Sequence, residues 1–212
     1  MPSATAARIA DAALDVLGAG GIHALSHARV DAAAGTPPGS ASNYFRTRAA
    51  LVAAAVNRLQ QFDDEQWAAT VAAGRPASPA GLADAFAAFV EAATGPERTL
   101  TVARYVIYVQ GVVEPALLDT LNDNRARVVD WTAATLTDLG VPDAGDAATG
   151  LLAAVEGLIL HRLSGFAAIP ARPYLRHLVA ALCAPDGSGG AGITAEQDRD
   201  LDVTERRRVA QP

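Results

Sequence analysis

The side chains best suited to meeting another molecule lie together in one stretch, Ser26 to Arg48. Ser40, Ser42 and Asn43 are short hydrogen-bonding groups of the kind that reaches base edges and phosphate oxygens in a DNA groove. Tyr44 adds a hydroxyl, Arg29 and Arg48 add cations, and Arg46 reads as a solvated charge. Residue sets for covalent chemistry are not assembled in this way. The run Gly18-Ala-Gly-Gly21 resembles a phosphate loop, but it follows a helical pattern instead of a strand and lacks the third spaced glycine. Neither Gly-x-Ser-x-Gly nor a Walker-type Gly-Lys occurs. Of the four histidines, His23 and His27 are spaced i, i+4, yet His23 precedes the helix start at Ser26, and no cysteine or carboxylate pair completes a metal set. Cys183, the single cysteine, reads as a buried inert thiol and allows no internal disulfide. The expectation is therefore no catalytic residue, no metal and no cofactor.

The elements that must position Ser26–Arg48 are helical. Ser26 is a good N-cap for a short helix to Ala34, whose Val30, Ala33 and Ala34 supply packing, and Gly35 supplies the positive φ of a tight turn. Pro37 and Pro38 lead a second short helix through Phe45, with Pro38 at its first position. Two helices of this size joined by such a turn make a helix-turn-helix, whose second helix enters the major groove. A helical unit of this shape can equally be a protein-interaction element. Before it, Thr5 to Leu17 forms an amphipathic helix with Ile9, Ala13, Val16 and Leu17 on one face, stopped by Gly18, Gly20 and Gly21. After it, Thr47 caps a long helix with Leu51, Val52, Ala55, Val56 and Leu59 as its stripe. Further helices are expected over 80–94, 98–112, 114–139, 146–163 and 172–184, separated by glycine or proline. The prediction is an all-α protein of about nine helices.

The run from Ser26 to Leu51 resembles the DNA-binding head of the tetracycline-repressor (TetR/AcrR) family. That pattern sets Ser/Thr, Val-Ala, Ala-Gly, Gly-Ser or Gly-Thr, Tyr-Phe, and a cation three residues before a leucine. Ser26, Val30, Ala34-Gly35, Gly39-Ser40, Tyr44-Phe45 and Arg48 before Leu51 supply nearly all of it, over roughly the first 60 residues. The resemblance implies that Ser26 caps and touches phosphate and that Arg29 faces the backbone or a base. It makes Thr36, Pro38, Gly39, Ser40, Ser42 and Asn43 the turn and reading face, and it has Tyr44 donate to a phosphate. Arg48 stands where the family carries a phosphate-gripping lysine, and its guanidinium fork would keep the role but not the geometry. Pro38 replaces a cation that many relatives carry, so specificity would rest more on Arg29 and the small polar groups. Phe45 is expected in the core.

The resemblance further implies a ligand-binding, dimerising body. Residues 1–60 would form the head, continuing into a linking helix to about 72, and 78–184 the body, with 185–212 a disordered tail. Aromatic or polar residues on apolar helices are the pocket candidates: Phe86, Phe89, Arg104, Tyr105, Tyr108, Trp131, Glu156 and His161. Leu151, Val155, Leu158, Ile159, Leu175, Leu178, Val179 and Leu182 are expected at a four-helix dimer interface. Two heads related by a two-fold axis would read a palindromic double-stranded operator with half-sites ~34 Å apart or slightly more. The function implied is a sequence-specific regulator, in its common form a repressor released by an unidentified small-molecule inducer. The alternative is a helical ligand- or partner-binding module that no longer binds an operator.

Charge is compatible with that reading only once it is divided. The net charge is −6, but residues 1–60 carry five arginines against three acids, leaving −8 on the remainder. All 17 basic residues are arginine, which reads as coding bias. The N-terminus has no signal-peptide pattern, and the most apolar stretch, Leu151–Leu163, is too short to span a membrane and contains Glu156, His161 and Arg162. A cytoplasmic protein without a membrane partner is expected.

Overall fold

The computed structural model describes residues 3–166 and 169–184, and these form nine α-helices without a strand. In chain order they are α1 (Ala4–Gly20), α2 (His27–Ala34), α3 (Ser40–Tyr44), α4 (Arg48–Ala73), α5 (Pro79–Thr94), α6 (Arg98–Val113), α7 (Asp119–Asp138), α8 (Ala144–Ser164) and α9 (Ala171–Leu182). The residues expected to form a tail, 185–212, lie outside the described ones. No described helix is long and apolar enough to cross a membrane.

Helix starts follow side-chain caps. The Ser26, Thr47 and Ser78 hydroxyl oxygens accept from the backbone N–H groups of Arg29, Ala50 and Gly81 at 3.3, 3.0 and 3.1 Å. Gly35 closes α2 in the left-handed region at φ 61°, where a Cβ would be strained. Three expectations need correction. α1 does not stop at Gly18 but runs to Gly20, because α6 crosses it there: a Cβ on Gly18 would collide with the Thr99 carbonyl and side chain. The glycine is needed for a close approach of helices, not for a stop. Gly18→Ala is expected to cost about 1–3 kcal/mol in urea denaturation, and a midpoint equal to the parent's would mean that α1 and α6 separate without penalty. α3 does not begin at Pro38 but at Ser40, with Gly39 at φ 92° as its cap residue. Last, 114–139 is not one helix. A single 3-10 turn, Pro115–Leu117, intervenes before α7, and Leu118 closes over Gly111. Pro115 is tolerated in a first turn, so the break falls after it, where Leu118 turns back onto α6.

Apolar side chains collect in two cores. The first unites Ile9, Leu14 and Leu17 of α1 with Leu25, Val30, Leu51 and Leu59, and it also takes in Ala103 and Ile107 of α6 and Leu121 of α7. The second joins α5, α7, α8 and α9 through Leu82, Phe86, Val90, Leu136, Leu151, Val155, Leu158, Leu175 and Val179. Of the residues expected at a partner interface, Leu151, Val155, Leu158, Ile159, Leu175 and Val179 are at most 3% exposed within the single chain. Leu178 and Leu182 are half-buried against the same core. An apolar stripe looks the same whether it meets its own chain or a second one, and here α5 lies over α9 and takes that face. The outer faces of α8 and α9 carry Gly150, Ala153, Leu160, Tyr174, His177 and Ala181, all exposed. Two arginine forks fix α5 to these helices: Arg162 on Glu91 at 2.7 and 2.8 Å, and Arg176 on Asp84 at 2.9 and 2.8 Å.

Candidate nucleic-acid interface

The turn between α2 and α3 is built around one buried carboxylate. Asp31, on α2, is 4% exposed. Its Oδ2 accepts from Gly39 N at 2.8 Å, and its Oδ1 accepts from Ala41 N at 2.7 Å and from the Thr36 hydroxyl at 3.1 Å. Helix α3 is too short to satisfy its own first N–H groups and has no side-chain cap from Gly39, so Asp31 satisfies them from the neighbouring helix. Burial alone would raise its pKa, but these donors, with His27 one turn away, together outweigh burial and hold the carboxyl below its usual range. His27 Nε2 lies 2.5 Å from the Phe45 carbonyl; a carbonyl only accepts, so this nitrogen carries the proton. An open hollow of about 390 Å³ over this junction is lined by His27, Asp31, Thr36, Pro38 and Gly39. Where the family pattern sets alanine after Val30 the chain has Asp31, and sequence reading counted it only as a charge. The signal was its position: an acid two residues past an N-terminal turn, five before a threonine and eight before a glycine.

The expected reading face divides by what each group already holds. Arg29, Pro38, Gly39, Asn43 and Tyr44 are exposed, Tyr44 at 46%. Ser40 and Ser42 direct their hydroxyl hydrogens to the Pro37 and Gly39 carbonyls at 2.6 and 2.9 Å, leaving oxygen lone pairs outward. Thr36 is likewise tied to Asp31, and Ser26 caps α2. Arg48 differs from expectation, because Nη2 donates to the Ile22 carbonyl at 2.5 Å and Nε to that of Leu25 at 3.4 Å. It braces the loop between α1 and α2, with Nη1 left over. Phe45 packs on the first core as expected. Between Ser26 and Phe62 the only acid is Asp31, so with that carboxylate buried the exposed charges are the arginines 29, 46 and 48.

The body residues singled out in the sequence are held by different partners. Arg104 is held by the carboxylate of Asp63 on α4, through Nη1–Oδ2 at 2.7 Å and Nη2–Oδ1 at 2.5 Å. Burial would lower the Arg104 pKa, and the Asp63 hydrogen bonds and charge more than reverse this. Tyr108 lies under the Arg125 guanidinium, 5.0 Å from its ring centre. His161 stacks at 5.0 Å on Phe166, Phe86 is in the second core, and Phe89 is 52% exposed. Tyr105 and Glu156 are brought together: the phenol of α6 donates to the carboxylate of α8. Burial first, then that hydrogen bond and charge, push the Tyr105 pKa well up, so the phenol stays a donor. Trp131 is partly buried against the same core as Tyr105. Among the described residues no group of three or more histidine, cysteine or acidic side chains is placed to hold a metal ion.

A helix-turn-helix carried on a helical body is the arrangement of one-chain DNA-binding regulators, and the family models agree. Residues 9–55 match the bacterial regulatory proteins of the tetR family, and residues 77–185 match the tetracyclin repressor-like C-terminal domain. The chain belongs to the tetR family of DNA-binding transcription regulators. Among solved structures it is similar to the multidrug binding protein EbrR complexed with ethidium, at 27% identity and TM-score 0.64 over 86% of this chain and 99% of that one. It is similar to a TetR-family member from Streptomyces coelicolor A3, at 28% identity and TM-score 0.63 over 87% of this chain and 100% of that one. A transcriptional regulator from Rhodococcus sp. Rha1 shares the fold at 24% identity and TM-score 0.66, over 83% and 92% of the two chains. No curated protein matches the chain.

Proposed function

We propose that this chain is a ligand-responsive repressor that binds a palindromic operator as a homodimer and is released from it by a small molecule. The observation that carries the reading is the sign of the charge on the α2–α3 surface. Its one carboxylate is turned inward onto the α3 N-terminus, so that the face offered to a phosphate backbone is positive although the chain as a whole is acidic. Residues 1–60, continued by α4, form the DNA-binding head in this reading, and 78–184 form the body that binds the ligand and the second copy. Base contacts fall to Arg29, Ser42 and Asn43, and phosphate contacts to Ser26, Ser40, Tyr44 and the remaining Nη1 of Arg48. Thr36, Pro38 and Gly39 set the turn. That EbrR is described as a multidrug binding protein supports a small-molecule role for the body. Coupling runs through α6, which meets α1, α4 and α8: a ligand that displaces it changes the separation of two heads by a coupling of ~1–3 kcal/mol.

Fluorescence anisotropy against DNA from upstream of the chain's own gene, with random-sequence competitor, tests this. Saturable binding is expected to survive competitor, weaken with salt, and fall about 5–10-fold in Tyr44→Phe, which removes one hydroxyl at an exposed position. Binding equal to that of random DNA at low salt would instead support a helical ligand- or partner-binding module that has lost its operator.

A further inference from the structure

Helix α3 is tied at both ends to one face of α2. Asp31 takes the N–H groups of Gly39 and Ala41 at its start. His27, one turn earlier on α2, donates Nε2–H to the Phe45 carbonyl at its end. A helix of five residues is too short to hold itself, so these two ties matter more than they would on a long one. They differ chemically. Asp31 is 4% exposed, and both of its oxygens are engaged. His27 is half-buried, borders the open hollow over the junction, and has used one ring nitrogen of its two. Among the described residues its Nδ1 meets no hydrogen-bond partner.

The state of Nδ1 decides what this part of the head offers to DNA. With a proton on Nε2 alone the ring is neutral, and Nδ1 presents a lone pair that repels a phosphate oxygen. A second proton makes Nδ1 a donor, adds a positive charge to the face, and turns the Phe45 tie into a charge-assisted bond. Histidine is the side chain that changes charge in this way between pH 5 and 8. The charges around it are few. On α2 stand Arg29 and Asp31, and the Asp31 carboxylate attracts a charged ring. Helix α3 brings Tyr44, the link to α4 brings Arg46, and Arg48 on α4 is bonded to the Ile22 and Leu25 carbonyls. Helix α1 carries Arg8, Asp15 and Asp11, the last paired with Arg58, and the turn Ile22–Ala24 carries His23. A phosphate backbone laid against this face favours the doubly protonated ring. We propose that His27 is a positioning residue of α3, and that operator binding takes up a proton at its Nδ1, which then donates to a DNA phosphate. The proposal rests on the operator-binding reading and gives the head an input of its own, separate from any ligand in the body. Because the complex holds more protons than the free protein, a fall in pH through the histidine range favours the complex.

The test is anisotropy of the full chain on DNA from upstream of its own gene, at about pH 6 and about pH 8 and over a range of salt. Melting curves establish that each variant is folded at both. The parent is expected to bind about 5–10-fold more tightly at the lower pH, the worth of one charge-assisted hydrogen bond. Its log–log salt slope is expected to steepen there by about 0.9, the release of one more counterion. His27→Gln keeps a neutral donor for the Phe45 carbonyl; it is expected to match the parent at the higher pH and to lose both responses. His23→Gln is expected to keep both. His27→Leu has no donor and is expected to bind about 5-fold more weakly than the parent even at the higher pH. A parent whose affinity and salt slope ignore pH, or a His27→Gln variant with the parent's responses, overturns the proton coupling and leaves the regulator reading intact. His27→Leu equal to the parent at the higher pH overturns the positioning role. Absence of operator binding at both pH values overturns the regulator reading and this proposal together.

Discussion

Arg104→Ala is expected to lose about 3–5 kcal/mol of folding stability, which for a chain of this size lowers the melting midpoint by roughly 10 °C or more. The loss comes from what the truncation leaves behind. Asp63 has a side chain only 4% exposed, and both of its oxygens face the Arg104 guanidinium. Without that fork the carboxylate must remain charged in an apolar setting or take a proton, and either is expensive. Asp63→Ala is expected to do comparable harm, since it strands the cation. Replacing both at once, Asp63→Leu with Arg104→Met, is expected to recover most of the stability, because apolar pairs of similar volume often equal a buried ion pair. Urea denaturation of the four proteins forms a double-mutant cycle, and single losses below about 1 kcal/mol would show that water reaches the pair. Arg104 was a pocket candidate on sequence, but its fork makes it the tie between α4 and α6.

The second large effect is at Asp31. Asp31→Ala is expected to destabilise by about 2–3 kcal/mol, because two backbone N–H groups at the start of α3 lose their acceptor. Operator affinity is expected to fall further than stability alone would dictate, by about 30-fold, since α3 is five residues long and has no other cap. Asp31→Asn keeps one acceptor and the shape, and is expected to fall between parent and alanine variant. Acid adds an independent check. The folded-state pKa lies below the ordinary 3.8, so Asp31 stabilises fully above the unfolded carboxylate range and loses that contribution as pH falls through its depressed value. Between pH 5 and pH 3 the parent is expected to lose more stability than Asp31→Asn, and parallel acid limbs would contradict the assignment.

Helix class and most boundaries were legible because caps and breakers act locally. Ser26, Gly35 and Thr47 announce themselves through hydrogen bonds to residues no more than a few positions away. The head was legible for the same reason: its turn, its small polar face and Tyr44-Phe45 are contiguous. What failed to show depends on residues far apart in the chain. Gly18 reads as a stop until α6 is known to cross there, and Arg104 reads as a polar intruder until Asp63, 41 residues away, is placed opposite. Leu151 and Val155 read as well for a partner as for a core, because hydrophobic periodicity gives the face but not its occupant. Arg48 carries the same lesson at shorter range, since its loop carbonyls lie 23 and 26 residues back.

The first core has a bearing on modular engineering. Because Ala103, Ile107 and Leu121 share that core with α1, α2 and α4, the seam between recognition and sensing is a solid apolar joint and not a tether. A chimera that transplants residues 1–60 onto a foreign body would set Ile9, Leu14 and Leu17 against a surface that did not co-evolve with them. For this chain the exchangeable cassette is the head together with the segment of α6 that it grips, and a new specificity grafted without that segment would arrive with its core unfilled.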